Sequence, residues 1–171
     1  MMPDFHTSPK SEAMPLLSIR HVFVYGTLRR GEQRDINHLL PQPRWRGLFS
    51  VSGLLYDLGT YPGLVLGGQG RVWGEVYEIS SELERQLDEI EEVWPQPSGE
   101  YAKREVVVRF DAAAVWPACA VQPAEPETVI CLVYEVAAEH ASGKPVIANG
   151  DWVAYRASKP ANSLMKCKPD K

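Results

Sequence analysis

Glycines inside strand-like segments constrain the fold more than any other feature of this sequence. Residues 70–79 alternate between two faces, with Trp73 and Tyr77 on one and Val72 and Val76 on the other. Glycines within such a strand indicate bends, because they remove the side chains that pack a flat sheet. The segment is therefore typical of a small closed or strongly curled sheet.

Two helices are predicted among six or seven strands, and strands and helices do not alternate regularly. The main predicted strands are 17–25, 45–56, 64–66, 70–79, 101–110 and 128–136. The predicted helices are 32–40 and 81–93. This order predicts an α+β domain, built on a small mixed β-barrel or strongly curled sheet with flanking helices.

The length of 171 residues is enough for one domain with its own core. We expect residues 1–18 to form a mobile leader, 19–158 a single domain and 159–171 a flexible tail. Residues 112–127 are rich in alanine and proline, which predicts a hairpin excursion on the surface.

Composition excludes several classes of function. A net charge of −4 argues against nucleic acid as a partner, since phosphate binding needs a basic face. No apolar run approaches the ~20 residues that cross a bilayer, so no membrane association is expected. The three widely spaced cysteines predict reduced thiols in a cytoplasmic protein, and the four histidines form no metal-binding pattern.

Residues 21–31 predict a strand that breaks at Gly26 into a tight loop and then enters a helix. Such a loop presents several backbone N–H groups to one point, which is a general way to hold an anion or an oxyanion. Gly26 and Gly31 have the spacing of a phosphate-binding loop. However, Glu32 and Gln33 follow where that motif requires lysine and serine or threonine, so a nucleotide site of this type is excluded.

The helix predicted at 81–93 has one narrow apolar stripe, formed by Leu83, Leu87 and Ile90. Ser81 and Glu84 are predicted to form its capping box. At about 100° per residue, Asp88 and Glu89 point away from the stripe, whereas Glu91 flanks it. Periodicity alone leaves two interpretations of Glu91 open: a carboxylate leaning into the core edge as a general base, or a solvated charge near a helix end.

Four segments, taken in order, resemble the γ-glutamylcyclotransferase-like family, which includes γ-glutamylamine cyclotransferases and AIG2-like proteins. They are Val-Phe-Val-Tyr-Gly-Thr-Leu-Arg-Arg-Gly at 22–31, Gly-Glu-Val-Tyr-Glu-Ile at 74–79, Leu-Asp-Glu-Ile-Glu at 87–91, and Tyr101. The resemblance covers about residues 19–155. Each motif is weak alone, but the three multi-residue motifs in this order are fairly specific.

The resemblance implies a small β-barrel with flanking helices and a cofactor-free reaction. A γ-glutamyl amine or γ-glutamyl amino acid would cyclise to 5-oxoproline and release the free amine. The glutamyl group would be held by five residues, namely Tyr25, Gly26, Thr27, Leu28 and Tyr101. Glu91 would be the general acid/base, which agrees with its helical phase.

The partner implied by the resemblance is therefore a small γ-glutamyl molecule. Two alternatives remain open: a non-catalytic binding module of the same fold, and an enzyme that hydrolyses or transfers the γ-glutamyl group. The insertion at 94–99 borders the expected site, and Lys103 stands where family members commonly carry arginine. The sequence specifies neither the leaving amine nor the oligomeric state.

Overall fold

Five β-strands close into a barrel in the computed structural model, which describes residues 19–110 and 128–159. In chain order they are β1 (Arg20–Val24), β2 (Arg44–Asp57), β3 (Pro62–Ile79), β4 (Tyr101–Phe110) and β5 (Thr128–Val136). Around the barrel the order is β1-β3-β2-β4-β5, with a parallel pairing between β5 and β1 and antiparallel pairings elsewhere. The predicted α+β fold with a small mixed barrel is confirmed.

Short helices flank this barrel. They are α1 (Ser81–Ile90), α2 (Ala138–Ala141) and α3 (Trp152–Ser158), and a single 3-10 turn spans Ile36–His38. No helix within the described ranges is long and apolar enough to cross a membrane. The predicted leader at 1–18, the excursion at 112–127 and nearly all of the tail at 159–171 lie outside the described residues.

Two apolar clusters lie on opposite faces of the barrel wall. The first takes a buried side chain from every strand, including Phe23, Phe49, Val76, Val108 and Val133. The second lies between the strands and α1. Its members include Val22 and Val24 of β1, Ile36 of the 3-10 turn, and Leu83 and Leu87 of α1. Successive side chains of β1 point into the two clusters in turn, so this strand packs against both the barrel interior and the layer formed by α1 and the 3-10 turn.

The predicted strands at 64–66 and 70–79 are one continuous strand, β3, and this accounts for the lower strand count in the described chain. Pairing with β2 jumps from Ser52–Arg71 to Gly53–Leu66, which leaves the intervening residues of β3 outside the register. Gly67 and Gly68 there have φ values of +91° and +80°. Glycine adopts such values without steric cost, so the chain bends without ending the strand.

The helix predicted at 32–40 is wrong, since only Ile36–His38 forms a 3-10 turn there. Asp35 explains the difference, because its carboxylate accepts hydrogen bonds from the backbone N–H groups of Gly31 and Asn37, at 2.8 and 2.9 Å. A short acidic side chain that binds nearby N–H groups competes with helix formation. The segment folds back over the barrel instead.

The helix predicted at 81–93 is confirmed in its apolar stripe but not at its ends. Ser80, rather than Ser81, is the N-cap, and its hydroxyl accepts a hydrogen bond from Leu83 N at 3.2 Å. Glu84 forms no capping box with Ser81 but binds Lys103 Nζ at 2.8 Å. The helix ends at Ile90, three residues earlier than predicted.

We expect Ser80→Ala to lower the free energy of unfolding by about 1 kcal/mol, because an N-cap hydroxyl satisfies an orphan N–H group of the first turn. Urea denaturation followed by circular dichroism measures this loss. Ser81→Ala is the matched control, since Ser81 is exposed at the first helical position. An equal or larger loss for Ser81→Ala would contradict this assignment of the cap.

Candidate active site

A cavity of about 180 Å³ opens where the loop after β1 faces the C-terminal end of α1 and the start of β4. The six residues predicted to form a site all line it: Tyr25, Gly26, Thr27, Leu28, Glu91 and Tyr101. The structure therefore brings these residues together, although they come from three separate parts of the chain.

The loop after β1 is a tight turn. Gly26 O accepts a hydrogen bond from Arg29 N at 3.0 Å, and Thr27 O accepts one from Arg34 N at 2.9 Å. A side chain at Gly26 would place its Cβ 2.7 Å from the Pro62 ring, which only glycine avoids. The turn thus lies directly against the first residue of β3.

The amide N–H groups of Thr27 and Leu28 have no hydrogen-bond acceptor within residues 19–110 and 128–159. Both residues line the cavity, and Leu28 is buried. A buried N–H group without a partner costs free energy, so such groups favour an acceptor supplied by a ligand. These two amides are suited to bind a carboxylate or an oxyanion.

A buried carboxylate anchors the loop from behind. Glu75, on β3, accepts hydrogen bonds from Arg29 Nε at 3.2 Å, Arg30 N at 3.1 Å and the Tyr77 hydroxyl at 2.8 Å. Arg29 also donates to Asp151 at 2.7 Å, and Asp151 is the N-cap of α3. A buried charge is stable only when it is paired and hydrogen-bonded, and this network meets both conditions.

Glu91 occupies the C-cap of α1. After it, Glu92 N donates to Glu89 O at 3.2 Å and Val93 N donates to Asp88 O at 2.9 Å, which is the Schellman arrangement. Glu92 has a φ of 53°, a left-handed conformation that is usually taken by glycine at this position. The sharp end of the helix leaves Glu91 on the wall of the cavity.

Burial raises the pKa of Glu91 from 4.5 to about 7. Arg34 opposes this shift, while the nearby carboxylates of Glu100 and Glu92 add to it. No donor within the described parts of the chain hydrogen-bonds the Glu91 carboxylate. A carboxylate with a pKa near neutrality can both accept and donate a proton at physiological pH.

Two tyrosines close the apolar side of the cavity. The Tyr25 hydroxyl donates to Tyr134 O at 2.6 Å, and the Tyr101 hydroxyl donates to Pro62 O at 3.3 Å. Burial raises the pKa of both phenols far above the usual value, and the Glu91 carboxylate adds to the shift. Both phenols therefore stay protonated and neutral, and their rings form part of the cavity wall.

The cavity has further lining residues that sequence reasoning missed. Tyr61 donates its hydroxyl to Glu100 at 2.7 Å, and this hydrogen bond raises the pKa of Tyr61. Tyr134 lines the cavity from β5, and Arg34 provides a cationic group. Tyr61 follows a turn and Glu100 lies between the insertion and β4, so neither belongs to a periodic pattern that could have marked it.

The orientation of Asp88 was also predicted wrongly. Helical phase places it away from the apolar stripe, yet Asp88 is only 9% exposed. Lys103 of β4 donates to its carboxylate at 2.6 Å and the Tyr134 hydroxyl of β5 donates at 2.8 Å. Because α1 packs against β4 and β5, more of its surface is buried than the apolar stripe alone predicts. The hydrogen bonds from Lys103 and Tyr134 compensate for burial of the Asp88 charge.

Within residues 19–110 and 128–159, no group of three or more histidine, cysteine, aspartate or glutamate side chains is arranged to hold a metal ion.

The pKa of Glu91 has a consequence for stability. Because the folded state raises this pKa from 4.5 to about 7, the folded protein keeps a proton that the unfolded chain releases. The contribution of Glu91 to the free energy of unfolding is greatest below about pH 4.5. It is lost as the pH rises through 7. Glu91→Gln removes the cost of ionisation, so its stability relative to the wild type should rise by roughly 3 kcal/mol between pH 4.5 and pH 8.

Urea denaturation of both proteins at several pH values measures this difference. Glu89→Gln is the matched control, because Glu89 is exposed on the same helix. We expect it to follow the wild type across the pH range. A constant difference between Glu91→Gln and the wild type at all pH values would contradict a raised pKa at Glu91.

A family model and several known proteins are similar in sequence to this chain. The model of the family described as "Gamma-glutamyl cyclotransferase, AIG2-like" matches residues 22–154. A Vibrio cholerae protein named as a γ-glutamylcyclotransferase is 49% identical over 75 residues, which are 42% of this chain and 62% of that protein. The γ-glutamylcyclotransferase family protein YtfP of Escherichia coli K12 is 30% identical over 133 residues, covering 77% of this chain and 95% of its own.

A crystal structure of an AIG2-like protein from mouse has a similar fold. The TM-score is 0.58 with 26% sequence identity, over 78% of this chain and 88% of the mouse chain. The family model covers most of the described barrel together with the loop after β1, α1 and β4, from which the cavity is built. On this evidence the chain belongs to the AIG2-like γ-glutamyl cyclotransferase family.

Proposed function

We propose that the protein converts a γ-glutamyl amine or a γ-glutamyl amino acid to 5-oxoproline and the free amine. The observation that carries the proposal is the position of Glu91, whose pKa is about 7, on the same cavity as the unpaired amides of Thr27 and Leu28. The membership of the chain in a cyclotransferase family supports the same reaction.

In this reaction the α-amine of the substrate attacks its own γ-carbonyl carbon. A new C–N bond closes a five-membered lactam, and the original bond from the γ-carbon to the leaving nitrogen breaks. Because nucleophile and electrophile belong to one molecule, holding the substrate in a folded conformation supplies much of the rate enhancement. No oxidation or reduction takes place, so the atoms balance without a co-reactant.

Glu91 acts as the general acid/base in this proposal. An α-amine with a pKa near 8 is mostly protonated at neutral pH and must lose its proton before it attacks. Glu91, as the carboxylate, accepts a proton from the amine and then delivers one to the leaving nitrogen. A pKa of about 7 suits both transfers, because neither protonation state is strongly favoured.

The segment from Tyr25 to Leu28 holds the glutamyl group. The amides of Thr27 and Leu28 bind either the α-carboxylate or the oxyanion that develops on the γ-carbonyl oxygen. The rings of Tyr25 and Tyr101 pack against the methylene groups of the substrate and exclude water from the reacting atoms. Exclusion of water favours cyclisation over hydrolysis, since water would otherwise compete for the γ-carbon.

A panel of γ-glutamyl amines and γ-glutamyl dipeptides, analysed by mass spectrometry, tests the proposal. We expect 5-oxoproline and the matching free amine in equal amounts with at least one member. Free glutamate in place of 5-oxoproline would instead show a hydrolase. Binding of several members without any product would show a non-catalytic binding module.

Glu91→Gln should lower kcat by about 10²-fold or more, because a positioned general acid/base contributes rate enhancement of that order. Glu89→Gln is the control, since Glu89 has the same side chain on an exposed part of α1. We expect its kcat to remain within about twofold of the wild type, as for other surface substitutions. Normal turnover by Glu91→Gln together with loss of turnover by Glu92→Gln would assign the role to the neighbouring carboxylate.

A further inference from the structure

Tyr134 of β5 contacts both halves of the candidate site. Its backbone carbonyl accepts a hydrogen bond from the Tyr25 hydroxyl at 2.6 Å, on the side of the loop after β1. Its own hydroxyl donates to Asp88 Oδ1 at 2.8 Å, on the side of α1. Tyr134 is 3% exposed, so both hydrogen bonds are shielded from water. One buried residue thus links the loop to the helix that carries Glu91.

Asp88 in turn controls the end of α1. It lies three residues before Glu91, and its backbone carbonyl accepts hydrogen bonds from Val93 N at 2.9 Å and Trp94 N at 3.2 Å. Its carboxylate is held by Lys103 Nζ at 2.6 Å in addition to Tyr134. The same residue therefore docks the helix on the barrel and closes the turn that places Glu91 on the cavity wall.

We infer that Tyr134 and Asp88 are positioning residues, and that their hydrogen bond sets the placement of Glu91 relative to the segment from Tyr25 to Leu28. This inference rests on the proposed function of Glu91. Neither side chain needs to exchange a proton with the substrate. Burial and the hydrogen bond to Asp88 raise the pKa of the Tyr134 phenol, so it remains a fixed donor.

The physical basis is the steep dependence of proton transfer and ring closure on geometry. A displacement of the reacting groups by about 1 Å can cost up to 10²-fold in rate, even when the change is far from the chemistry. Without the Tyr134 hydroxyl, Asp88 keeps Lys103 as its only side-chain donor within the described residues. The helix then remains docked, but the Asp88 carboxylate is held by one side-chain donor instead of two, and Glu91 gains freedom to move.

Tyr134→Phe tests this inference, because it removes the hydroxyl and leaves the ring and the backbone carbonyl in place. The chain contains a closely matched control. Tyr155 donates its hydroxyl to Asp57 at 2.7 Å, and Lys159 Nζ binds the same carboxylate at 2.7 Å. Tyr155→Phe therefore removes the same kind of tyrosine–aspartate hydrogen bond, beside a lysine, from a residue that does not line the cavity.

Both variants should fold and show a similar, small decrease in the urea midpoint. Only Tyr134→Phe should lower kcat, by about tenfold, with KM within about twofold of the wild type. This split is expected because the glutamyl-holding loop keeps its bond to the Tyr134 carbonyl. A purely structural role would lower kcat in neither variant once both proteins are shown to be folded.

A second measurement needs no turnover. The pKa of Glu91 can be followed by NMR in protein labelled with ¹³C at the glutamate carboxyl carbons, with Glu91→Gln used for assignment. Greater access of water lowers a pKa that burial has raised, so Tyr134→Phe should shift it downward by about 1 unit from its value near 7. Tyr155→Phe should leave it unchanged. Arg34, Glu92 and Glu100, the charged groups facing Glu91, are present in both variants and cannot account for a difference.

The two proposals fail in different ways. Absence of 5-oxoproline with wild-type protein across the substrate panel would overturn the proposed function, and the NMR titration would then decide on the positioning of Glu91. Wild-type turnover combined with equal kcat values and equal Glu91 pKa values in Tyr134→Phe and Tyr155→Phe would overturn the inference while leaving the proposed function intact.

Discussion

The parallel pairing of β1 with β5 is the constraint on which the rest of the site depends. It closes the barrel at the register Val22–Leu132, while β1 also pairs with β3 on its other side. Because of this closure, the loop that leaves β1 emerges beside β5 and beside the helix that packs on both strands. In this arrangement the Tyr25 hydroxyl donates a hydrogen bond to the Tyr134 carbonyl oxygen at 2.6 Å. An open sheet would separate the two halves of the cavity.

The buried carboxylates around the cavity differ in whether they have hydrogen-bond donors. Glu75 and Asp88 are buried, and each accepts hydrogen bonds from a cationic side chain and a tyrosine hydroxyl, so they act as fixed supports. Glu91 has no such donor within the described residues, and its pKa rises toward neutrality. A carboxylate with a cationic partner and hydrogen-bond donors stays ionised, and a solvated carboxylate keeps its ordinary pKa. Glu91 is suited to proton transfer because it is partly buried without such a donor.

Local sequence patterns predicted residues that line the cavity better than they predicted the residues that support it. The phase of α1 placed Glu91 at the edge of the apolar stripe but left its role open, and in the structure Glu91 lines the cavity. The same reasoning wrongly turned Asp88 toward solvent, since Lys103 and Tyr134 lie far away in the sequence and their contribution is invisible to periodicity. The mistaken cap at Ser81 has a similar origin, because two adjacent serines are equally good candidates until the backbone shows which one leaves the helix.

The sequence by itself determined the turn after β1, the bends in β3 and the apolar stripe of α1, because these features follow from backbone preferences and spacing over a few neighbouring residues. Only the tertiary structure decided that the turn and the helix end share one cavity, that Glu75 and Asp88 support them from behind, and that the pKa of Glu91 reaches about 7. These properties depend on barrel closure and on burial, which bring together residues whose separation in the chain carries no local signal.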